Sequence, residues 1–255
     1  MISATDTQLL AWLSAFLLPF FRVLALFSAA PILSSRAFPA RARVALAAAI
    51  ALLAAPYASL PTGAQPSLGS PAALALVAHE VLVGLAIGFA ARLVFAAFEL
   101  AGEIIGLQMG LSFAGFFDPS GGTGNAIGRL FGATGTLMFI AANGPLMLIA
   151  AVVQSFQTFP LDSHPLAFAA RLSPTAFGTE LFALALAIAL PFVTLLLFVN
   201  LALGVVARVA PQLNVFAIGF PVTIGAGLVA LTLGFAWIEQ PFVNAIGRAM
   251  AMLGI

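Results

Sequence analysis

Six apolar runs, separated by short segments that contain charge, proline or glycine, divide this chain of 255 residues. A helix needs about 20 mostly apolar residues to cross a bilayer. Backbone polar groups within lipid must be paired internally, which leaves helices or a closed barrel, and no run alternates as a strand would. We therefore predict helices, roughly at residues 8–33, 44–60, 73–100, 127–153, 177–206 and 215–237.

The composition excludes a water-soluble fold. Only 7% of the residues are charged and 63% are apolar, whereas a soluble domain carries about 25% charged residues. Lipid or partner proteins must therefore cover much of the surface. The predicted fold class is an all-α, polytopic integral membrane protein. The net charge of +1 comes without a basic cluster, which argues against nucleic acid as a partner.

The runs differ in length, which predicts kinked or bent helices rather than uniform spans. Pro19, Pro145 and Pro191 lie within apolar runs, where each removes an intrahelical hydrogen bond and bends the helix. The last segment, residues 240–255, is apolar but brief and carries Asn244 and Arg248. We predict that it forms a tail lying on a membrane surface.

Three charged residues form a stripe on the third predicted helix. At helical spacing, Arg92, Glu99 and Glu103 fall on one face. Charges within an apolar helix need a partner or water. This charged stripe therefore faces a water-filled pore or an opposing basic subunit, or it lies on a helix end that protrudes from the membrane. A proton relay through the two glutamates is a further alternative.

Glycines recur at four-residue spacing on the same predicted helix. Gly84 and Gly88 form one pair, and Gly102 and Gly106 form another. Small residues at this spacing let two helix backbones approach closely. The pattern predicts tight helix packing, either within this chain or against another chain.

The helical pattern fails after Gly110. In the segment LSFAGFFDPSGGTG, Phe113, Phe116 and Phe117 stand among glycines and a proline, which disfavour a helix. Non-helical backbone at membrane depth is tolerated only where it is buried in protein or lines a cavity. The segment is therefore either a hydrophobic plug that closes a pore or a surface loop with buried aromatic side chains.

No catalytic or metal-binding pattern emerges. His79 and His164 are far apart and lack the spacing of metal ligands, so we predict structural or solvent-exposed histidines. The glycine run at 122–128 has the wrong spacing for a dinucleotide fingerprint, and Asn125 fits the N-cap of the next helix. We predict a non-enzymatic protein without a cofactor. The alternative is a small-solute secondary transporter, which requires paired broken helices in two repeat halves.

Four segments combine polar, glycine and proline positions in a specific order: FPARARVALA at 38–47, FELAGEIIGLQMGLSFAGFFDP at 98–119, NGPLMLIAAVVQSFQTFP at 143–160 and APQLNVFAIGFPV at 210–222. Through these segments the chain resembles the FliR family of flagellar biosynthesis proteins over nearly its entire length. The homologous subunit of virulence-type secretion systems is the nearest competitor, and GEIIGLQMG favours the flagellar branch.

The resemblance implies a subunit of the flagellar type III export gate, in the bacterial inner membrane at the flagellar basal body. It implies assembly with FliP and FliQ into a channel for unfolded flagellar proteins, with FlhB and FlhA as further partners. Within one membrane domain, residues 1–175 would correspond to FliP, and residues 176–255 to a FliQ-like helical hairpin and C-terminal tail.

Two sets of site residues follow from the resemblance. The plug loop of the family corresponds here to Gly110, Leu111, Ser112, Phe113, Ala114, Gly115, Phe116, Phe117, Asp118 and Pro119. The turn between the fifth and sixth predicted helices, which would pack on neighbouring subunits, corresponds to Pro211, Asn214, Phe216, Gly219 and Pro221.

Overall fold

All regular secondary structure in the described part of the chain is helical. The computed structural model describes residues 6–35, 38–57, 71–111, 124–160, 168, 172–210, 212 and 215–255. The α-helices in chain order are α1 (Asp6–Ala29), α2 (Ala40–Ala54), α3 (Pro71–Gln108), α4 (Ala126–Ala141), α5 (Gly144–Thr158), α6 (Pro174–Val209), α7 (Val215–Gly234) and α8 (Glu239–Ala251). This confirms the all-α class.

Several helices have the length and apolar composition of membrane spans. Among the described residues these are four: Ala40–Tyr57, Pro71–Gln108, Pro174–Val209 and Ala217–Trp237. The bent pair α4 and α5 makes a fifth if it is counted as one span. The polytopic prediction is therefore confirmed, with four or five candidate spans where the sequence predicts six.

The fourth predicted run is two helices and not one. α4 and α5 meet at 66°. Asn143 adopts the left-handed conformation at φ 56°, and Pro145 follows in the first turn of α5, where its missing N–H costs nothing. The predicted bend at Pro145 is confirmed, but it lies between two helices and not inside one. Pro19 and Pro191, in contrast, lie inside the uninterrupted helices α1 and α6.

The chain divides into two compact units. One contains residues 1–93, 140–177 and 246–255, and the other contains residues 94–139 and 178–245. The first part of α3 therefore belongs to one unit and its second part to the other.

In the first unit, α1 packs closely against α3. A Cβ added at Gly88 would lie 2.7 Å from the Cβ of Ala29 and 2.9 Å from the carbonyl oxygen of Leu26. Gly84, one turn earlier, faces the carbonyl oxygen of Arg22. Any larger residue at these two positions would force the helices apart.

In the second unit, a cluster of phenylalanine rings forms the core. The ring of Phe98 lies 5.1 Å from that of Phe131 and 5.0 Å from that of Phe242, and Phe95 lies 5.3 Å from Phe139. Phe242 belongs to α8 and is fully buried. The prediction of a surface-lying C-terminal tail is wrong, because α8 places apolar side chains in the protein core.

Candidate functional site

The second half of α3 lies against α4 through small residues. A Cβ added at Gly102 would lie 2.8 Å from the carbonyl oxygen of Ile127 and 2.9 Å from the Cα of Gly128. Gly106 faces the side-chain amide of Asn125 in the same way. Since the atoms opposite Gly102 include backbone, only glycine permits this approach without moving a helix.

Asn125 ties the start of α4 to α3. Its Oδ1 accepts a hydrogen bond of 2.8 Å from the backbone N–H of Gly128, and its Nδ2 donates one of 2.9 Å to the carbonyl oxygen of Glu103. The first bond is the N-cap bond to the third helical residue, so the predicted N-cap is confirmed. The second bond was not predicted, and it fixes the register of the two helices.

The carboxylates of the charged stripe lie over three glycines, one just before α4 and two on it. A Cβ added at Gly132 would lie 2.7 Å from Glu99 Oε1. A Cβ added at Gly124 would lie 2.7 Å from Glu103 Oε1. Gly128, between them, faces Glu103 Cγ at 2.7 Å. The glycines leave room for both acidic side chains to lie against the α4 backbone.

All three members of the charged stripe are exposed on α3. Arg92, Glu99 and Glu103 each retain a large accessible surface, so none of them is neutralised by burial within this chain. Exposed charge on an apolar protein requires water or a partner of opposite charge. The arrangement is compatible with a pore-facing stripe, a basic partner and a protruding helix end.

The end of α3 is well defined. α3 ends at Gln108, and the N–H of Gly110 donates to the carbonyl oxygen of Leu107 over 3.0 Å. Gly110 has a φ of 82°, a conformation that glycine adopts without steric cost after a helix. Of the predicted plug residues, Gly110 and Leu111 are described and partly exposed. Residues 112–119 lie outside the described residues.

The predicted turn falls between α6 and α7. α6 ends at Val209 and α7 begins at Val215, which brackets Pro211 and Asn214, both outside the described residues. Phe216, Gly219 and Pro221 lie in the first two turns of α7. Gly219 is buried there and Pro221 is exposed.

Sequence reasoning missed a buried ion pair in the first unit. Arg22 Nε donates to Glu80 Oε2 over 2.8 Å, and Arg22 Nη2 donates to Glu80 Oε1 over 2.7 Å. Arg22 Nη1 donates to Ser155 Oγ over 2.9 Å, and Nη2 also donates to the carbonyl oxygen of Phe159 over 3.0 Å. Both charged side chains are fully buried.

The surroundings of this ion pair join three helices. Arg22 is on α1, Glu80 on α3 and Ser155 on α5, and the guanidinium carbon lies 4.0 Å from the ring centroid of Phe156. Gly84, one turn after Glu80, lets α1 approach closely enough for the bidentate contact. The available signal was a charge inside each of two apolar runs, because such charges need a partner.

Of the two histidines, His79 is within the described residues. His79 is buried, with its ring edge-on to Phe168 at a centroid distance of 6.2 Å, which makes it structural rather than solvent-exposed. His164 lies outside the described residues. Within the described ranges, no three His, Cys, Asp or Glu side chains are grouped closely enough to hold a metal ion.

Comparison with known proteins decides the family. Residues 13–249 match the family described as bacterial export proteins, family 1. The flagellar biosynthetic protein FliR of Escherichia coli is 45% identical over 89% of this chain and 87% of its own length. The chain belongs to the FliR family. The FliR proteins of Pectobacterium carotovorum and Bacillus subtilis are 41% and 34% identical, over 91% and 94% of this chain and 88% and 96% of their own lengths.

Membership of the FliR family fixes the class of function. The family consists of flagellar biosynthesis and export proteins, a non-enzymatic role. Together with the apolar helices, it identifies the chain as a multi-pass membrane protein of flagellar protein export. The resemblance seen in the sequence is thereby confirmed.

Proposed function

We propose that this chain is a subunit of the flagellar type III export gate and forms, with FliP and FliQ, the inner-membrane channel for unfolded flagellar proteins. The match to FliR proteins along about nine tenths of the chain carries this proposal. In this proposal the chain lies in the flagellar basal body, with FlhB and FlhA as further partners. Residues 1–175 act as the FliP-like part and residues 176–255 as the FliQ-like part.

The exposed apolar surface supports an assembled state. Large side chains on α6 and α7 are largely exposed in the isolated chain, with Phe182 at 61%, Leu201 at 66% and Leu233 at 76%. An apolar patch of this kind marks contact with lipid or with another protein. In the proposed channel, sister subunits cover part of this surface, including that of Pro221 on α7.

The segment after α3 supplies the closure of the channel in this proposal. The chain leaves α3 at Gly110 in a left-handed conformation, and Phe113, Phe116 and Phe117 follow within seven residues. Large apolar side chains in a narrow pore exclude water and so block ions. These phenylalanines seal the closed channel and move aside during export.

The same proposal gives the charged stripe a position at the channel or at a subunit interface. Glu99 and Glu103 lie exposed over glycines of α4, on the helix that leads into the plug segment. They face either the water of the channel or a basic surface of a sister subunit.

Co-expression with FliP and FliQ, followed by gentle purification, tests the assembly. A stable hetero-oligomer that contains all three proteins is the expected result. A stand-alone monomer or homodimer that transports a small solute would instead establish the secondary transporter.

An ion-leak measurement tests the plug. We expect replacement of residues 110–117 by a shorter polar linker to make the assembled channel leak small ions, because the phenylalanine barrier is removed. The measurement is ion flux in vesicles that contain the co-expressed subunits. Unchanged conductance in a correctly assembled channel would refute the plug.

A further inference from the structure

An apolar groove lies in the second unit, between α6 and the end of α7. Its volume is about 300 Å³, the lower end of the range of about 300–1,000 Å³ that small-molecule sites occupy. Its walls include Ala187, Pro191 and Leu195 on the side of α6, and Ala230, Leu233 and Trp237 on the side of α7. Every described residue that lines it is hydrophobic or glycine, so the groove suits a hydrocarbon ligand.

The packing of Phe192 on Gly234 holds the two walls together. A Cβ added at Gly234 would lie 2.6 Å from Cε1 and 2.7 Å from Cζ of the Phe192 ring, so glycine is what lets the helices approach this closely. The walls also carry small residues, Ala187 on α6 and Ala230 on α7. Short side chains near a close helix contact leave the space that forms the groove.

The groove has two different ends. Phe192 and Gly234 lie at similar distances along the chain from the turn between α6 and α7, so the two helices run antiparallel. Leu195 and Ala230 therefore lie at one end of the groove, and Trp237 lies at the other. The side chains at the first end are aliphatic.

The end at Trp237 is the polar one. Pro191 has no N–H to donate to the carbonyl oxygen of Ala187 in the preceding turn of α6, so this oxygen lacks its helical donor. Trp237 is 80% exposed and carries an indole N–H. Glu239 and Gln240, which follow it closely, are both exposed. Polar groups thus gather at this end, while the opposite end is hydrocarbon.

Trp237 indicates the depth of the groove in the membrane. It is the last residue of a candidate span of 21 residues, Ala217–Trp237, which is long enough to cross the hydrocarbon core. Tryptophan is enriched at the level of the lipid headgroups, and the exposed charge of Glu239 just beyond it needs water. From Trp237 to Ala230 the helix rises about 10 Å, so the groove extends from headgroup level into the hydrocarbon.

We propose that the groove binds one acyl chain of a membrane phospholipid, with the chain end beside Leu195 and Ala230 and the polar head beside Trp237. The order of polarity along the groove matches the order of polarity along a phospholipid. A helix of a sister subunit, about 10–12 Å across with its side chains, is too wide to enter, whereas an extended hydrocarbon chain is narrow. Dispersion contacts with both walls hold the chain. This site does not depend on the plug.

Two photoactivatable phospholipids test the site and its polarity. The full-length chain, in vesicles of phosphatidylethanolamine and phosphatidylglycerol, is cross-linked to a phospholipid with a diazirine at the end of an acyl chain or in the headgroup. Mass spectrometry then locates the labelled residues. The acyl probe should label Leu195 and Ala230, and the headgroup probe should label Trp237 and Gln240. The reverse order, or the same positions with both probes, would overturn the proposal.

A variant that fills the groove separates bound lipid from bulk lipid. Ala187→Leu places a larger side chain at the polar end and should lower labelling of Leu195 by the acyl probe about tenfold, which corresponds to about 1.4 kcal/mol of lost binding. Labelling of Leu53 on α2, which is 75% exposed, is the reference for contact with bulk lipid. Ala202→Leu is the matched control, since Ala202 is an exposed residue of α6 outside the groove.

The position of Ala187 keeps this test independent of folding. Ala187 is itself exposed, so leucine there leaves the core intact, and the labelling of the wild-type chain needs no variant. Equal labelling of Leu195 in Ala187→Leu and Ala202→Leu would overturn the proposal, because the acyl probe would then report bulk lipid.

The assembled gate distinguishes a lipid from a sister subunit as the occupant. The same labelling is measured on the chain co-purified with FliP and FliQ. Labelling of Leu195 that persists in the hetero-oligomer supports the lipid. Labelling that is present in the chain alone and absent from the hetero-oligomer would show that a sister subunit occupies the groove, and would overturn the proposal. If no hetero-oligomer forms, the proposed gate fails, and the measurement on the chain alone still decides the lipid site.

Discussion

Arg22 and Glu80 are fully buried, and each is the other's main partner. Arg22 donates two hydrogen bonds to the Glu80 carboxylate, one to Ser155 and one to the carbonyl oxygen of Phe159. These use four of the five N–H groups of the guanidinium. Removing one member of such a pair leaves a buried charge without its counter-charge, which costs about 3–5 kcal/mol. Removing both charges together avoids that penalty.

We therefore predict a non-additive pattern of stability. Arg22→Met and Glu80→Met should each lower the thermal midpoint of the purified full-length chain in detergent. Arg22→Met combined with Glu80→Met should be more stable than the sum of the single losses implies. Arg208→Met is the control, because Arg208 is exposed at the end of α6. If the single variants had the same thermal midpoint as this control, the structural role of the pair would be contradicted.

At the scale of helices, the pairing of α3 with α4 depends on residues without side chains. A Cβ at Gly102 meets the carbonyl oxygen of Ile127 and the Cα of Gly128, and neither atom can move unless a helix moves. Overpacking of this kind costs about 1–3 kcal/mol. This exceeds the gain of about 0.4–1 kcal/mol that alanine brings over glycine through the unfolded chain.

Gly102→Ala should therefore lower the thermal midpoint of the full-length chain. The matched change is Gly204→Ala in α6, where an added Cβ meets no atom within 4 Å and the gain in helix propensity is unopposed. We expect this control to melt at or above the wild-type temperature. A Gly102 variant as stable as the Gly204 variant would show that α3 and α4 are not in close contact.

The sequence predicts the features of these helices that depend on local order along the chain. Run length predicts most of the membrane helices, Pro145 predicts a bend between residues 127 and 153, and Asn125 predicts the N-cap of α4. Each signal lies within a few residues of its effect. Arg22 and Glu80 are 58 positions apart, and the residues next to each of them do not indicate which distant residue it contacts.

The local sequence of the C-terminal segment does not determine what its apolar face contacts. A short amphipathic segment can place its apolar face on a membrane or on a protein core, and its own sequence is the same in both cases. The segment lies on the protein core because the ring of Phe242 packs against Phe95 and Phe98, at centroid distances of 5.6 and 5.0 Å. These rings lie more than 140 positions earlier in the chain.

At the scale of the whole molecule, scarcity of charge makes the exposed stripe unusual. The chain has eight acidic residues, and Glu99 and Glu103 present two of them on the exposed face of an apolar helix. Exposed carboxylates are costly against lipid but are stabilised by water or by basic groups. In the proposed gate they face the water of the channel or a basic subunit, and at a protruding helix end they would face bulk water.

We predict that Glu99→Ala and Glu103→Ala each lower flagellar secretion or the yield of the hetero-oligomer, measured by motility and by co-purification. Glu239→Ala is the control, since Glu239 is an exposed acid in the first turn of α8 outside the stripe.

Glutamine at positions 99 and 103 distinguishes a water-facing stripe from one that faces a basic partner, because glutamine keeps hydrogen bonding to water and loses the charge. If glutamine restores function, the stripe faces water; if glutamine and alanine are equally impaired, it faces a basic partner. Normal motility in both alanine variants would show that the stripe has neither role.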